Sequence, residues 1–373
     1  MSIPICEKVR NRVENEQSRA VTCAAANVTP PRPHSSRRTC HDWPVLVESV
    51  PNYSEGRRMD VVDRLANAVS RARGAYLLDR TSDPSHNRSV LTMAGEADAV
   101  ERALEATIEV AIETIDMEVH TGEHPRIGAI DVVPFVPLGS TSIDDCIALA
   151  RTFGARVADR FALPVYLYAR AATRPERVRL ADVRKGGYEG VRDDLAARVA
   201  DRAPDFGPAH THPRLGAVAV GARPFLIAWN INLETTDLEV AKRIARAVRE
   251  SGGGLPAVQG NGFWIEELRC AQVSMNLLDF ATTPMWRVWE EVGRLAAEAG
   301  VGIRESELIG LAPQAAFDDV ARHAGTGASD ASGGADAPFP ERFAAAAHYL
   351  KLRDAQPLMV LEQRLAAART SAG

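Results

Sequence analysis

The chain has 373 residues, with 44 Lys and Arg against 49 Asp and Glu, a formal net charge of −5. That mild acidity excludes a non-specific nucleic-acid binder, which needs a basic excess, and an aromatic content of 6 % leaves little for base stacking. Its 46 % hydrophobic and 25 % charged residues are those of an ordinary globular protein, and its length suits two core domains.

Five cysteines (Cys6, Cys23, Cys40, Cys146 and Cys270) are scattered without a CxxC pair. They form neither a disulfide framework nor a zinc ribbon, and a reducing cytoplasm fits best. No apolar run is long enough to span a membrane, and no secretory core opens the chain.

Residues 1–43 are polar and Pro-bearing ("NVTPPRPHSSRRTCHDWP") and keep no period, so we expect a disordered N-terminal extension. A false upstream start would look the same. Glu7, Glu14 and Glu16 count against a transit peptide. Order begins with the strand in "VLVESVPNYSEG". In "RRMDVVDRLANAVSRA" the residues Met59, Val62, Leu65, Ala66 and Val69 share one helical face. "GAYLLDR" reads as a strand, "TSDPSHN" as a loop and "RSVLTMAG" as a strand. A long amphipathic helix, "EADAVERALEATIEVAIETI", and the apolar strand "GAIDVVPFVP" complete a βαββαβ unit. The helix "IDDCIALARTFGARVADRF" and the strand "PVYLYA" follow.

The pattern returns after residue 224. "RPFLIAWNINL" is a strand, "DLEVAKRIARAVRES" a helix, and "GFWIEELRCAQVSMNLL" holds two strands. "PMWRVWEEVGRLAAEA" is a helix and "GIRESELIGLAP" a strand. The expected fold class is therefore α/β, an α+β sandwich of two tandem βαββαβ (ferredoxin-like) subdomains. Each has a sheet with helices on one face, and a ligand groove lies between them. The subdomains are expected at 44–224 and 225–323. A Gly/Ser/Ala linker should occupy 324–338, and two helices in 339–373 should pack on the second subdomain.

Five of the nine histidines fall in three loop segments: His86 in "SDPSHNR", His120 and His124 in "HTGEHPR", and His210 and His212 in "PAHTHPR". Zinc binding is one reading, but Gly122 sits inside HxxxH and Pro125 beside it, and no acidic ligand stands at a recognisable spacing, so no metal is expected. General acid–base catalysis is a second, since an imidazole exchanges protons at cell pH. Arg88 and Arg126 would then hold a carboxylate, while Glu123 or Asp131 would orient the ring. Plain loop hydrogen bonding is the third reading. "PDFGPAHTHPRLGAVAVGAR" between the two units, rich in Gly and Pro, reads as a linker that doubles as a groove wall.

Seven stretches in the same order ("VPNYSEGR", "LLDRTSDPSHNRSV", "GEHPRIGAIDVVPFVP", "PVYLY", "APDFGP", "GARPFLIAWNINL" and "AQVSMNLLDF") resemble the glutamate formiminotransferase family. The resemblance runs from about Val45 to Pro313, plus the terminal helices. It implies transfer of a formimino group from N-formimino-L-glutamate to tetrahydrofolate, a co-substrate used in histidine breakdown. It puts the catalytic histidine on His124, and the folate-binding segment on Gly207, Pro208, Ala209, His210, Thr211, His212, Pro213, Arg214, Leu215 and Gly216. Asn52, Glu55, His86, Asn87, Arg88, His120, Glu123, Arg126 and Asp131 are the expected supporting pocket.

The resemblance also implies a homodimer and no fused cyclodeaminase, leaving a separate cyclodeaminase as a candidate partner; neither nucleic acid nor membrane is expected. Thr81 stands where relatives can carry a carboxylate, with Asp83 and His86 as the polar groups nearby. That leaves N-formylglutamate as an alternative donor. A folate-binding protein without turnover and a zinc hydrolase are further alternatives. Formimino transfer passes between two amines through a tetrahedral adduct, so one histidine can give and take the proton in sequence.

Overall fold

The computed structural model describes residues 45–326 and 337–372. The expected extension and most of the expected linker lie outside them. The first sheet is built from β1 (Leu46–Ser49), β2 (Asn52–Tyr53), β3 (Ala75–Asp83), β4 (Arg88–Glu96), β5 (Ile130–Leu138), β6 (Val165–Ala169) and β7 (Val218–Ala222). β1 and β2 lie in line between β4 and β5, antiparallel to both, and β3 flanks β4. β7 runs parallel to β5 on one side and β6 on the other. The segment expected as a groove wall thus supplies a buried central strand: all five residues of β7 are buried.

Helices α1 (Met59–Arg71), α2 (Ala97–Thr114) and α3 (Ile143–Phe161) cover one face of this sheet. Burial of Val61, Val62, Leu65, Ala66 and Val69 drives α1 onto the sheet. Met59, which the spacing assigned to the buried face, is 44 % exposed. It is the first helical residue, and Val61 points inward in its stead. Ser142 starts α3 through a capping box with Asp145. The opposite face carries Val132, Tyr166, Tyr168 and Ala219, packed on Val183, Val191 and Leu195 of a segment holding α4 (Leu180–Val183) and α5 (Gly187–Ala196).

The second sheet has β8 (Ile227–Leu233), β9 (Val258–Ile265), β10 (Cys270–Leu277) and β11 (Ile303–Ile309) in the antiparallel order β11-β8-β10-β9. Two helices, α6 (Leu238–Val248) and α7 (Met285–Glu298), complete its βαββαβ unit. Strand alternation sends Trp229, Ile231, Val273 and Met275 into the core. It leaves Asn232 and Gln272 on the other face, where Gln272 donates to Asn232 and Asn232 to Glu305.

Leu78, Ala94, Val136 and Leu138 of the first sheet share one buried cluster with the second unit. Helices α8 (Gln314–Thr326), α9 (Phe339–Tyr349) and α10 (Leu361–Ala372) belong to the same cluster. α9 packs on α8, while α10 also lies against β3, so the terminal helices touch both subdomains rather than the second alone. Among the described residues, no helix is long and apolar enough to cross a membrane.

Candidate active site

β3 runs on through Ser82 and Asp83, residues expected in a loop, so that β3 and β4 form a hairpin closed at 84–87. At its tip Asp83 Oδ1 accepts the amide hydrogens of Ser85 and His86 at 2.8 and 3.0 Å, a turn that short carboxylates favour. Asp83 Oδ2 lies 2.5 Å from His86 Nδ1. Asn87 takes φ of 48°, a region Asn tolerates better than most residues. Its side chain accepts from Gly56 N at 3.0 Å and donates to Thr121 O at 2.9 Å, tying the hairpin to the loop that carries His120 and His124. That loop comes close because residue 122 is glycine: a Cβ there would stand 2.3 Å from His86 O.

A narrow, closely packed cleft lies where these pieces meet. It is lined by Asn52, His86, Asn87, Arg88, His120, His124, Arg126 and Asp131, with Tyr53 and Ser54. Arg88 Nη1 stands 2.7 Å from His124 Nε2. A guanidinium can only donate, so Nε2 accepts and the ring's proton sits on Nδ1. The His86 ring meets His124 edge-on, centroids 6.2 Å apart. Burial, the charges of Arg88 and Arg184, and then His86 push His124 down to about 3. At neutral pH its imidazole is uncharged.

The other expected members divide by role. His120 is a brace: its Nε2 pairs with Asn87 O at 3.1 Å, and its Nδ1 accepts from Arg126 Nε at 3.1 Å. Burial moves its pKa below the usual histidine range. Arg126 was expected to hold a substrate carboxylate. Its donors are instead spent on His120 and, at 3.1 and 2.9 Å, on both oxygens of Glu189. Asp131 was expected to orient the histidine. It is buried, accepts from Ile127 N at 2.8 Å and pairs with Arg184. Glu123 is exposed. Glu55 lies outside the cleft and accepts the amides of Arg57 and Arg58 at 2.9 Å each, at the start of α1, where a negative charge is favoured.

The segment 207–216 adjoins the histidine loop without lining the cleft. Met117 N bonds Arg214 O, Ala129 N bonds Leu215 O, and Ala217 N bonds Ile127 O, at 2.8–3.0 Å. His212 Nδ1 accepts the amides of Arg214 and Leu215 at 3.2 and 3.0 Å and so shapes the turn, while His210 is exposed. Gly216 takes φ of 73°, and a Cβ there would meet Ile127 O at 2.6 Å.

Arg184, Tyr188 and Glu189 were not anticipated. Leu180 and Val183, then Tyr188, Val191 and Leu195, carry a helical period that Gly186 and Gly187 break into two short pieces. That broken period was the available signal. Among the described residues, no three His, Cys, Asp or Glu side chains are grouped to hold a metal ion.

Fold and site thus define a tandem βαββαβ protein with a neutral histidine held among guanidinium groups. Residues 46–223 match the formiminotransferase domain, N-terminal subdomain, and residues 228–326 match the formiminotransferase domain. A glutamate formimidoyltransferase from Thermoplasma acidophilum is 44 % identical over 278 residues, covering 74 % of this chain and 91 % of that one. One from Streptococcus pyogenes is 42 % identical, covering 74 % and 92 %. A formimidoyltransferase-cyclodeaminase from Rattus norvegicus is 45 % identical, but only 52 % of its length is covered. The chain belongs to the formiminotransferase family.

Proposed function

We propose that this chain is a glutamate formimidoyltransferase that moves a formimino group from N-formimino-L-glutamate to tetrahydrofolate, with His124 moving the proton. The observation that carries this reading is a neutral imidazole in a cleft beside two arginines, Arg88 and Arg184, in a chain that spans nearly all of relatives bearing that name. The amine that attacks must lose a proton and the amine that leaves must gain one, and one histidine serves both steps. Guanidinium groups suit the carboxylates of the glutamate donor.

Tetrahydrofolate, when bound, supplies the accepting amine. The segment Gly207–Gly216 fits it: this segment adjoins the His124 loop, and the buried Nε of Arg214 has no acceptor among the described residues, as suits an acidic ligand. The bifunctional relatives extend well beyond the matched region, so a cyclodeaminase acting on the product is the partner this reading carries.

The test is a transfer assay with tetrahydrofolate and two donors, N-formimino-L-glutamate and N-formyl-L-glutamate. Faster turnover of the formimino donor is expected. Faster turnover of the formyl donor would make the chain a formyltransferase, and turnover of neither would leave a folate-binding protein.

A further inference from the structure

With Arg88 against the His124 ring, the base is blocked. Arg88 donates into His124 Nε2, so the lone pair that a general base needs is already engaged. With burial and two guanidinium charges acting on it, the ring is also a weak acceptor of protons. An efficient general base has a pKa near the operating pH. Something has to change when the substrate arrives.

The cations around the ring show what could change it. Arg88 comes from β4 and Arg184 from the turn after α4, and each bears electrostatically on His124. They lie near enough for the charge of Arg184 to lower the pKa of Arg88. The buried Nε of each has no acceptor among the described residues. A buried charged donor left without an acceptor is costly and calls for an explanation. Asp131 is the one carboxylate lining the cleft among the described residues. Burial, the largest influence, raises its pKa, and the donors Ile127 N and Arg184 work against that rise. The donor of the proposed reaction brings carboxylates, and a carboxylate accepts two parallel hydrogen bonds from a guanidinium. Of the other titratable side chains lining the cleft, His86 is held by Asp83, His120 by Asn87 O and Arg126, and Arg126 by Glu189.

We propose that Arg88 and Arg184 form the seat of one carboxylate of the glutamate donor, and that its arrival draws Arg88 off His124 Nε2 and frees the base. Arg88 keeps the histidine proton-poor until the carboxylate is seated, and Arg184, anchored on Asp131, completes the fork. The proton-transfer group then becomes competent only in the loaded cleft. This deepens the proposed function and rests on it.

The test is to follow the His124 ring by NMR titration of the whole chain, with and without L-glutamate, whose binding calorimetry measures. L-Glutamate should raise the midpoint of His124 by about 1–3 units. In Arg88→Gln the midpoint should start above the wild-type value and respond less. Should that variant not fold, Arg184→Gln serves. Its KM for N-formimino-L-glutamate should rise on the order of 10- to 100-fold, with a smaller fall in kcat. Transfer that proceeds while saturating L-glutamate leaves His124 unmoved would overturn the switch alone. Absence of transfer from N-formimino-L-glutamate would defeat the proposed activity and the switch with it.

Discussion

Arg126 and Glu189 join the histidine loop to α5 by two hydrogen bonds, from Nη1 to Oε2 and from Nη2 to Oε1. The same guanidinium donates through Nε to the His120 ring and through Nη2 to its carbonyl. The residue that sequence spacing put forward as a substrate ligand is therefore a brace. In the proposed carboxylate seat, substrate binding would fall to Arg88 and Arg184.

The two ends of this brace should differ in weight. Glu189 is 54 % exposed, and an exposed ion pair contributes about 0–1 kcal/mol. Glu189→Gln should therefore cost little. Arg126→Ala also strips His120 of two hydrogen bonds and should cost about 1–3 kcal/mol. Denaturant unfolding of both variants measures this. Equal losses would mean that the bonds to His120 contribute nothing.

Gly216→Ala should disturb the turn that joins the proposed folate segment to the histidine loop. Its φ of 73° disfavours a side chain, and the new Cβ would press on Ile127 O at 2.6 Å. Gly139 is the control, since its φ is also positive but nothing lies within 4 Å of an added Cβ. Alanine at 216 should cost more than the ~1 kcal/mol expected at 139 and should raise the KM for tetrahydrofolate. Matching stabilities and unchanged KM values would remove this role from the turn.

The pH–rate profiles should separate. kcat/KM reports ionisations of the free enzyme and kcat those of the loaded one. With His124 pushed down to about 3, the acid limb of kcat/KM should lie far below the usual histidine range. The acid limb of kcat should lie higher, because a seated carboxylate offsets the arginine charges. Coincident limbs would contradict a substrate-driven change at His124.

Glu48 on β1 is buried beside Arg223 and Glu362, and burial, the largest cause, pushes its carboxyl up to about 8. Between its ordinary pKa of about 4.5 and that value, the folded chain holds a proton that the unfolded chain releases. Stability should thus fall as pH rises from about 4.5 to 8. Glu48→Gln should flatten that fall and gain about 1–3 kcal/mol at pH 8, the scale of an uncompensated buried polar group. Unfolding curves at pH 5 and pH 8 give the comparison, and an unchanged pH slope would place the titrating group elsewhere.

The sequence disclosed what depends on local period and pattern. The strands and helices of both βαββαβ units were legible because one face of each is apolar, and "GEHPR" was legible because a charged, Pro-bearing run precedes a strand buried along nearly its whole length. Arg184 was not, because it lies between two short helices that Gly186 and Gly187 divide, and its bond to Asp131 spans 53 positions. The true partner of His124 was missed for a related reason. Glu123 and Arg126 are near in sequence, whereas Arg88 is 36 positions away and reaches the ring only through the hairpin. β7 was read as groove wall because a parallel strand inserted between β5 and β6 has no signature beyond its apolar run. The helical period of α8, carried by Ala316, Phe317, Val320 and Ala321, was passed over, and no element was assigned between the strand before it and the linker after it.

The central claim is that His124 moves the proton in formimino transfer, and rapid-mixing single-turnover kinetics of the wild type and His124→Ala tests it most directly. Both should be run with N-formimino-L-glutamate and tetrahydrofolate at saturation, alongside His120→Ala. His124→Ala should transfer about 10²–10⁴-fold more slowly with tetrahydrofolate affinity unchanged, while His120→Ala loses stability more than rate. A His124→Ala variant that transfers at the wild-type rate, or a larger loss of rate in His120→Ala, would contradict the account.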